Sequence, residues 1–156
     1  MKQLILTFIF LTFSQTQAKL LDKTIAIFND TVITMSQVNR VQNNIASRKN
    51  ISPLIYKKTN YTQKEVLGIM IERLLIRSKL GEVGYVRNDE QVEAEITNIE
   101  KRLGLSRTQL LSFLKSNNMS FDEYFEIIRE TIEFNIFNSR IIRPLISITD
   151  QEVKNY

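Results

Sequence analysis

Residues 62–84 read TQKEVLGIMIERLLIRSKLGEVG, and this stretch decides the fold class. Thr62, followed three residues later by Glu65, is a capping box, the pair of side chains that satisfies the first free N–H groups of a helix. Apolar residues then recur at helical spacing up to Leu80, and the glycine that follows favours the end of the helix. The stretch therefore predicts one long helix that is apolar around most of its circumference.

Three charged residues on this helix, Glu72, Arg73 and Arg77, indicate its solvated side and argue against a membrane span. A helix that is apolar on its other sides must be packed from several directions. We therefore expect it to be the central helix of the core.

Other capping residues predict four more helices. The helix starts are Thr34 with Gln37, Asn88 with Gln91, Ser106, and Ser120 with Glu123, the last helix running from Phe121 to about Ile142. On the helix after Asn88 the apolar residues at helical spacing are predicted to face inward. They are Val92, Ile96, Ile99 and Leu103.

Upstream of the helices, TIAIF and TVIT are β-branched and apolar, and the Asn29-Asp30 pair between them tolerates the positive φ of a tight turn. A β-hairpin is predicted here. Two strands alone are marginally stable, so the hairpin must pack on the helices. The fold is therefore predicted to be mainly α with a short N-terminal hairpin.

The first 18 residues, MKQLILTFIFLTFSQTQA, have the layout of a secretory signal peptide. Lys2 precedes an apolar run from Leu4 to Phe13, and a polar stretch ends at Ala18. The alternative is a membrane anchor, but this run is shorter than the roughly 20 residues that a spanning helix needs. We therefore predict export with cleavage after Ala18.

The composition argues against several kinds of catalytic site. The 156 residues include no His and no Cys, which excludes zinc sites of the usual kind, nucleophile pairs built on His, and disulfides. The carboxylates from Asp122 to Glu133 lie at helical spacing, and such a row is more typical of a solvated helix face than of an acid/base pair. We expect no catalysis, no metal and no cofactor.

The formal net charge is +4, but Lys and Arg alternate with Asp and Glu along the chain. Proteins that bind nucleic acid concentrate their basic residues on one face. A mixed, solvated surface without a nucleic-acid partner is therefore predicted.

An apolar loop between the first two helices is the first candidate for binding a partner. Residues 49–61, KNISPLIYKKTNY, carry apolar side chains among lysines. These side chains either pack into the core or form a partly exposed lip, and the sequence leaves both interpretations open. A second candidate set lies on the last helix, where core packing is the stronger alternative. The candidates are Ile51, Leu54, Ile55, Tyr56 and Tyr61 in the loop, and Phe121, Tyr124 and Phe125 on the helix.

The order of these parts resembles the N-terminal module of the SurA family, which comprises periplasmic chaperones for outer-membrane proteins that are related to parvulin-type prolyl isomerases. None of the matching segments is a catalytic motif. The resemblance implies a hairpin on a five-helix orthogonal bundle, similar to the peptide-binding C-terminal domain of trigger factor. The matching segments are KTIAIFNDTVITMSQV (23–38), MIERLLIRSKLGEVGYVRNDEQVEAEITNI (70–99), MSFDEYFEIIRETIEFNIFNSRI (119–141) and ISITDQEV (146–153).

The resemblance implies a periplasmic module that binds extended, aromatic-rich segments of unfolded outer-membrane proteins, without stable insertion in a membrane after the signal peptide is removed. Two alternatives stay open. The chain could be the N-terminal portion of a parvulin-type isomerase whose catalytic domain lies beyond Tyr156, or a structural envelope protein with one folded partner.

The predicted division is a signal peptide (1–18), a chaperone domain (19–143), and a linker with the start of a following segment (144–156). Thr149 and Glu152 form a capping box with barely one turn behind it. In the family, further domains and a returning C-terminal segment follow this point. We therefore expect a truncated chain rather than a complete short homologue, with self-association through the open hairpin edge as a further possibility.

Overall fold

The computed structural model describes residues 22–146. In this part of the chain a β-hairpin precedes six α-helices, which confirms the predicted fold class. A π-helical turn (Asn138–Ile142) and a 3-10 turn (Arg143–Leu145) continue the last helix. The elements are β1 (Thr24–Phe28), β2 (Thr31–Thr34), α1 (Met35–Asn43), α2 (Ile45–Ile51), α3 (Gln63–Glu82), α4 (Asp89–Leu103), α5 (Arg107–Ser116) and α6 (Phe121–Phe137).

Capping boxes begin α1, α3, α4 and α5, at Thr34, Thr62, Asn88 and Ser106. At α6 the Ser120 hydroxyl accepts a hydrogen bond from the backbone N–H of Glu123. The Glu123 carboxylate does not close the box, because it accepts a hydrogen bond from Arg48 of α2 instead. The predicted signal peptide and the Thr149–Glu152 capping box lie outside the described residues.

The chain bends at Asn44, which divides the first predicted helix into α1 and α2 and raises the number of helices from five to six. Asn44 leaves the helical region, with φ −100° and ψ 16°. Its side-chain amide donates to both carboxylate oxygens of Glu123 at 3.3 Å, and this contact ties the bend to α6. A contact so distant in sequence could not be predicted from the local pattern.

The hairpin has one buried side and one exposed side. Its strands pair antiparallel across a two-residue turn, in which Asn29 has φ 49°. Ile33 is 2% exposed and packs in a cluster with residues of α1 and α3, whereas Ile27 and Val32 are 69% and 45% exposed. The hairpin therefore packs on the helices, as predicted.

The buried apolar side chains form two clusters that share α6. The first joins α4, α5 and the N-terminal half of α6. The second joins the hairpin, α1, the start of α2, the loop that follows α2, and α3, with Phe134 of α6 packed against it. The helix common to both clusters is therefore α6, not α3. On α3, Leu75 is 52% exposed, so the expectation of a helix covered from several directions is wrong there.

Buried ion pairs connect α6 to its neighbours, which contradicts the predicted solvated face from Asp122 to Glu133. Glu123 and Glu133 are 7% and 2% exposed. Glu133 accepts from Nε of Arg77 at 3.0 Å, while the Glu123 carboxylate lies 2.5 Å from Nη2 of Arg48. Arg73, predicted on the solvated side of α3, is 6% exposed and its guanidinium lies 4.7 Å from the ring centroid of Phe134.

Candidate functional site

An apolar groove lies between the C-terminal ends of α2 and α4 and the sides of α5 and α6. Its volume is about 500 Å³, and we call it the α4–α5 groove. Apolar side chains make up most of the lining. The lining residues are Asn50, Ile51, Ile99, Arg102, Leu103, Leu105, Leu110, Phe113, Leu114, Tyr124 and Ile128.

The end of α4 sets one wall of the groove. Gly104 has φ 65°, the left-handed conformation that glycine adopts without steric strain. The backbone N–H of Leu105 then donates to the carbonyl of Glu100 at 2.9 Å, so the chain turns back sharply. This turn places Leu103 and Leu105 in the same lining, although they lie on either side of the glycine.

The opposite wall is α5, a short helix whose start is fixed by its capping box. The backbone N–H of Ser106 donates to the side-chain oxygen of Gln109 at 2.7 Å. Leu110 and Leu114, one turn apart, pack into the first cluster, while Phe113 lies between them in sequence and reaches the rim.

The groove combines a buried floor with exposed apolar residues at its rim. Leu110, Leu114, Tyr124 and Ile128 of the floor are each at most 5% exposed. Leu103 and Phe113 at the rim are 61% and 59% exposed. Apolar side chains that are exposed together around a preformed cavity are typical of interaction sites.

Among the described residues that line the groove, Arg102 is the charged one, and none of them carries a carboxylate. Burial raises the pKa of the Tyr124 hydroxyl, and the nearby Glu100 carboxylate raises it further. Glu100 itself accepts from Nε of Arg107 at 2.5 Å. The mostly apolar lining is therefore suited to holding apolar side chains.

The structure brings two of the predicted site residues, Ile51 and Tyr124, together in the α4–α5 groove. Phe121 and Phe125 are half-buried against the first cluster but are not part of the groove lining, and their ring centroids lie 6.2 Å apart. Tyr124 is 5% exposed, so it contributes to the floor of the groove and to the core at once.

The other loop residues belong to the second cluster or to the surface. Ile55 and Tyr56 are buried, and Tyr61 is half-buried against the same cluster. The Tyr56 hydroxyl accepts from Nη1 of Arg48 at 2.9 Å. Leu54 is 55% exposed and belongs to neither cluster. The loop therefore packs mostly into the core and leaves one exposed apolar side chain.

The sequence did not lead us to predict the exposed apolar residues at the rim of the α4–α5 groove. It assigned Leu103 to the inward side of α4, where the structure leaves it exposed. The sequence does contain a signal for Phe113, because an aromatic residue that lies off the Leu110–Leu114 stripe of a short helix has no place in that helix's buried side.

A second apolar groove, of about 600 Å³, lies between the C-terminal half of α3 and the turns after α6. Leu75 and Leu145 line it and are 52% and 76% exposed. The α4–α5 groove is the better candidate for a partner, because its floor is built from the first cluster and its lining includes the predicted site residues Ile51 and Tyr124. No helix within residues 22–146 combines the length and apolarity needed to cross a membrane.

The profile of the SurA-like N-terminal domain matches residues 2–137. The chain belongs to this family. The chaperone SurA of Pseudomonas putida is 30% identical over 144 residues, which cover 87% of this chain and 32% of that protein. The chaperone SurA of Bordetella avium is 33% identical over 135 residues, covering 84% of this chain and 26% of the relative.

A more distant relative shows similar coverage. The chaperone SurA of Cupriavidus metallidurans is 22% identical over 152 residues, covering 92% of this chain and 29% of that protein. The chain thus spans about a third or less of the length of these curated relatives. The resemblance inferred from the sequence is confirmed, and the match supports a chaperone role for this SurA-like domain.

Proposed function

We propose that this SurA-like domain is a periplasmic chaperone module that binds extended, aromatic-rich segments of unfolded outer-membrane proteins and assists their assembly. The observation that carries the proposal is the exposure of Leu103 and Phe113 at the rim of a preformed apolar groove. The chaperone name of the relatives supports it.

The α4–α5 groove is the proposed binding site. Its floor belongs to the first cluster, so it keeps its shape without a ligand. A side chain from an extended segment would be buried between Phe113 and Leu103, and burying a large apolar side chain contributes roughly 1.5–3 kcal/mol. With room for a few such side chains, the groove would hold its clients weakly and without regard to their exact sequence.

We assign Ile51 and Tyr124 to direct contact with the client in the groove, and Phe121 and Phe125 to a separate, half-buried apolar contact outside the lining. Leu54 offers a separate exposed contact. Ile55, Tyr56 and Tyr61 are assigned to holding the loop in place, because they pack in the second cluster.

The proposed organisation of the chain keeps a signal peptide at 1–18, a chaperone domain at 19–143 and a linker at 144–156. Export to the periplasm is supported by the Lys2, Leu4–Phe13 and Ala18 layout. The matched family is an N-terminal domain, and the match brings no catalytic domain with it.

The test measures how well the protein prevents the aggregation of a denatured outer-membrane protein diluted out of urea. We expect Phe113→Ser to weaken this protection several-fold, because it removes the aromatic side chain of the rim. Leu75→Ser is the matched control, since Leu75 is comparably exposed but lines the second groove. Circular dichroism checks that both variants stay folded. Equal protection by Phe113→Ser and the unchanged protein would contradict the proposal.

A further inference from the structure

We propose that Glu123 is a latch with two positions that controls how wide the α4–α5 groove opens. In the structure the Glu123 carboxylate holds α2 on α6. In a second, rarer state it closes the capping box at Ser120 instead, and the segment 45–56 moves away from α6. This inference rests on the proposed function and goes further by naming how that binding site is regulated.

The first position is the one seen in the structure. The Glu123 carboxylate accepts hydrogen bonds from the side-chain amide of Asn44 at 3.3 Å and from Nη2 of Arg48 at 2.5 Å. The hydroxyls of Ser52 and Thr131 share a further hydrogen bond at 2.9 Å between the end of α2 and α6. Release of Glu123 would therefore remove the charged link between α2 and α6.

The second position is indicated by the start of α6. At α1, α3, α4 and α5 the capping box is closed, because the N-cap backbone N–H donates to the side chain three residues later at 2.7–3.2 Å. Ser120 and Glu123 have the same spacing. Within residues 22–146, however, the backbone N–H of Ser120 has no hydrogen-bond partner. A cavity of about 340 Å³ lined by Ser120, Glu123 and Arg48 gives the carboxylate space in which to turn towards this donor.

The charges remain satisfied in the second state. Glu123 lies in the first turn of α6, where the helix dipole favours a negative charge. Arg48 moves into water with α2, which also hydrates its Nε, a buried atom without a partner among the described residues. The remaining cost is the exposure of buried apolar side chains, including Ile55 and Tyr56, and this cost keeps the second state rare.

The moving segment contributes a wall to the α4–α5 groove. Asn50 and Ile51, at the end of α2, line the groove. The segment is bounded by the non-helical bend at Asn44 and by the exposed residues 57–60, which can act as hinges. Movement between them withdraws this wall while the floor stays in place, so the groove admits larger side chains.

Hydrogen exchange of the purified protein, measured by mass spectrometry, tests the first position. Glu123→Gln can still close a capping box but loses the charge that holds Arg48, so residues 45–56 should exchange about tenfold faster or more, with α3 far less affected. Glu133→Gln is the matched control, because Glu133 is also buried on α6 but pairs with Arg77 of α3. Uniform acceleration over the whole domain in Glu123→Gln would overturn the latch.

Two variants of Ser120 test the second position. Ser120→Ala removes the hydroxyl and keeps the backbone N–H, whereas Ser120→Pro removes both, and the φ of −78° suits proline. Relative to α3, residues 45–56 should exchange about threefold more slowly in Ser120→Pro than in Ser120→Ala, because the second state loses a hydrogen bond. Equal exchange in the two variants would overturn the second position.

A disulfide tests the effect on binding. The chain has no cysteine, so Ser52→Cys combined with Thr131→Cys can pin α2 to α6 where the two hydroxyls meet. Fluorescent peptides that differ only in a Trp or a Val anchor are titrated against the oxidised and reduced forms by anisotropy. Oxidation should weaken binding of the Trp peptide several-fold and leave that of the Val peptide unchanged.

Two contrary outcomes are distinguishable. If oxidation leaves the Trp peptide unaffected while Phe113→Ser weakens both peptides, the latch is overturned and the proposed function stands. If neither peptide shows binding that depends on Phe113, the proposed function fails and the regulation of its site fails with it.

Discussion

Arg48 and Glu123 form an ion pair between α2 and α6 whose side chains are only 7% and 5% exposed. Removing two charges from water carries a large desolvation penalty, so such a pair is tolerated only when its geometry is good and its remaining polar atoms are satisfied. Here Asn44 and Tyr56 supply further hydrogen bonds to the pair, and Nε of Arg48 is the buried atom of the pair that has no partner among the described residues. The pair therefore fixes the position of α2 on α6.

We predict that Glu123→Gln lowers the free energy of unfolding by about 3–5 kcal/mol, because it leaves the Arg48 guanidinium buried without its counter-charge. Lys58→Gln is the control, since the Lys58–Glu65 pair is exposed and its loss should change the stability far less. Urea denaturation at pH 7 measures both variants. If Glu123→Gln were no more destabilising than Lys58→Gln, the charge would not be needed at this position.

A second prediction at this scale concerns Glu130, whose carboxyl faces the Tyr56 hydroxyl. Burial raises its pKa. A carboxyl whose pKa is higher in the folded than in the unfolded state destabilises the folded protein at pH values above the folded-state pKa. This destabilisation is lost as the pH falls towards the pKa of the unfolded state. Glu130→Gln should therefore stabilise the protein at about pH 7–8, and its advantage should shrink towards about pH 4. Unfolding at several pH values tests this, with the exposed Glu82→Gln as control; a destabilised Glu130→Gln at the upper end of that range would contradict it.

The charged faces of α3 and α6 show why residue-level prediction failed. Each row of charges, considered on its own helix, has the spacing of a solvated face. The rows instead face one another, with Arg77 binding both Glu126 and Glu133. In the sequence, the pairing of the two rows is indicated only by their opposite charges. The row on α3 contains Arg73 and Arg77, and the row on α6 contains glutamates.

At the scale of elements, the starts of most helices are fixed by hydrogen bonds between residues that are close in sequence. Capping is an interaction between residues three apart, so Thr34, Thr62, Asn88 and Ser106 identified helix starts correctly from sequence. The bend at Asn44 and the groove between α4 and α5 depend on residues far apart in the chain. The fold class was therefore predictable from sequence, whereas at the rim of the candidate site Phe113 left a local signal and Leu103 did not.

We predict that two glycines respond to alanine in opposite directions. Gly104→Ala should destabilise the protein by about 1–2 kcal/mol, because alanine is strained at its positive φ. Gly68→Ala should stabilise it by roughly 0.5–1 kcal/mol, since Gly68 lies inside α3 and an added Cβ meets no atom within 4 Å. Thermal unfolding measures both changes, and stabilisation by Gly104→Ala would contradict the account of the α4 turn.

At the scale of the whole molecule, the proposed function requires export, because a chaperone for outer-membrane proteins must leave the cytoplasm. We predict that the protein recovered from the periplasmic fraction begins at Lys19, as N-terminal sequencing would show. Phe8→Asp places a charge in the middle of the apolar run and should keep the protein in the cytoplasm. Phe8→Leu, which leaves the run apolar, is the control and should be exported normally. Soluble periplasmic protein that retains Met1 would contradict the prediction.

The sharing of α6 by two apolar clusters has a consequence for how the domain opens. Separate clusters on one helix allow one to open while the other stays closed, at a free energy below that of global unfolding. The first cluster includes α5, a helix of only ten residues that packs mainly against α6, so we expect this cluster to open before the second. Amide hydrogens of α4 and α5 would then exchange with solvent earlier than those of α1 and α3. Because the α4–α5 groove lies in the part that opens first, its capacity for bulky clients would grow on warming before the domain melts.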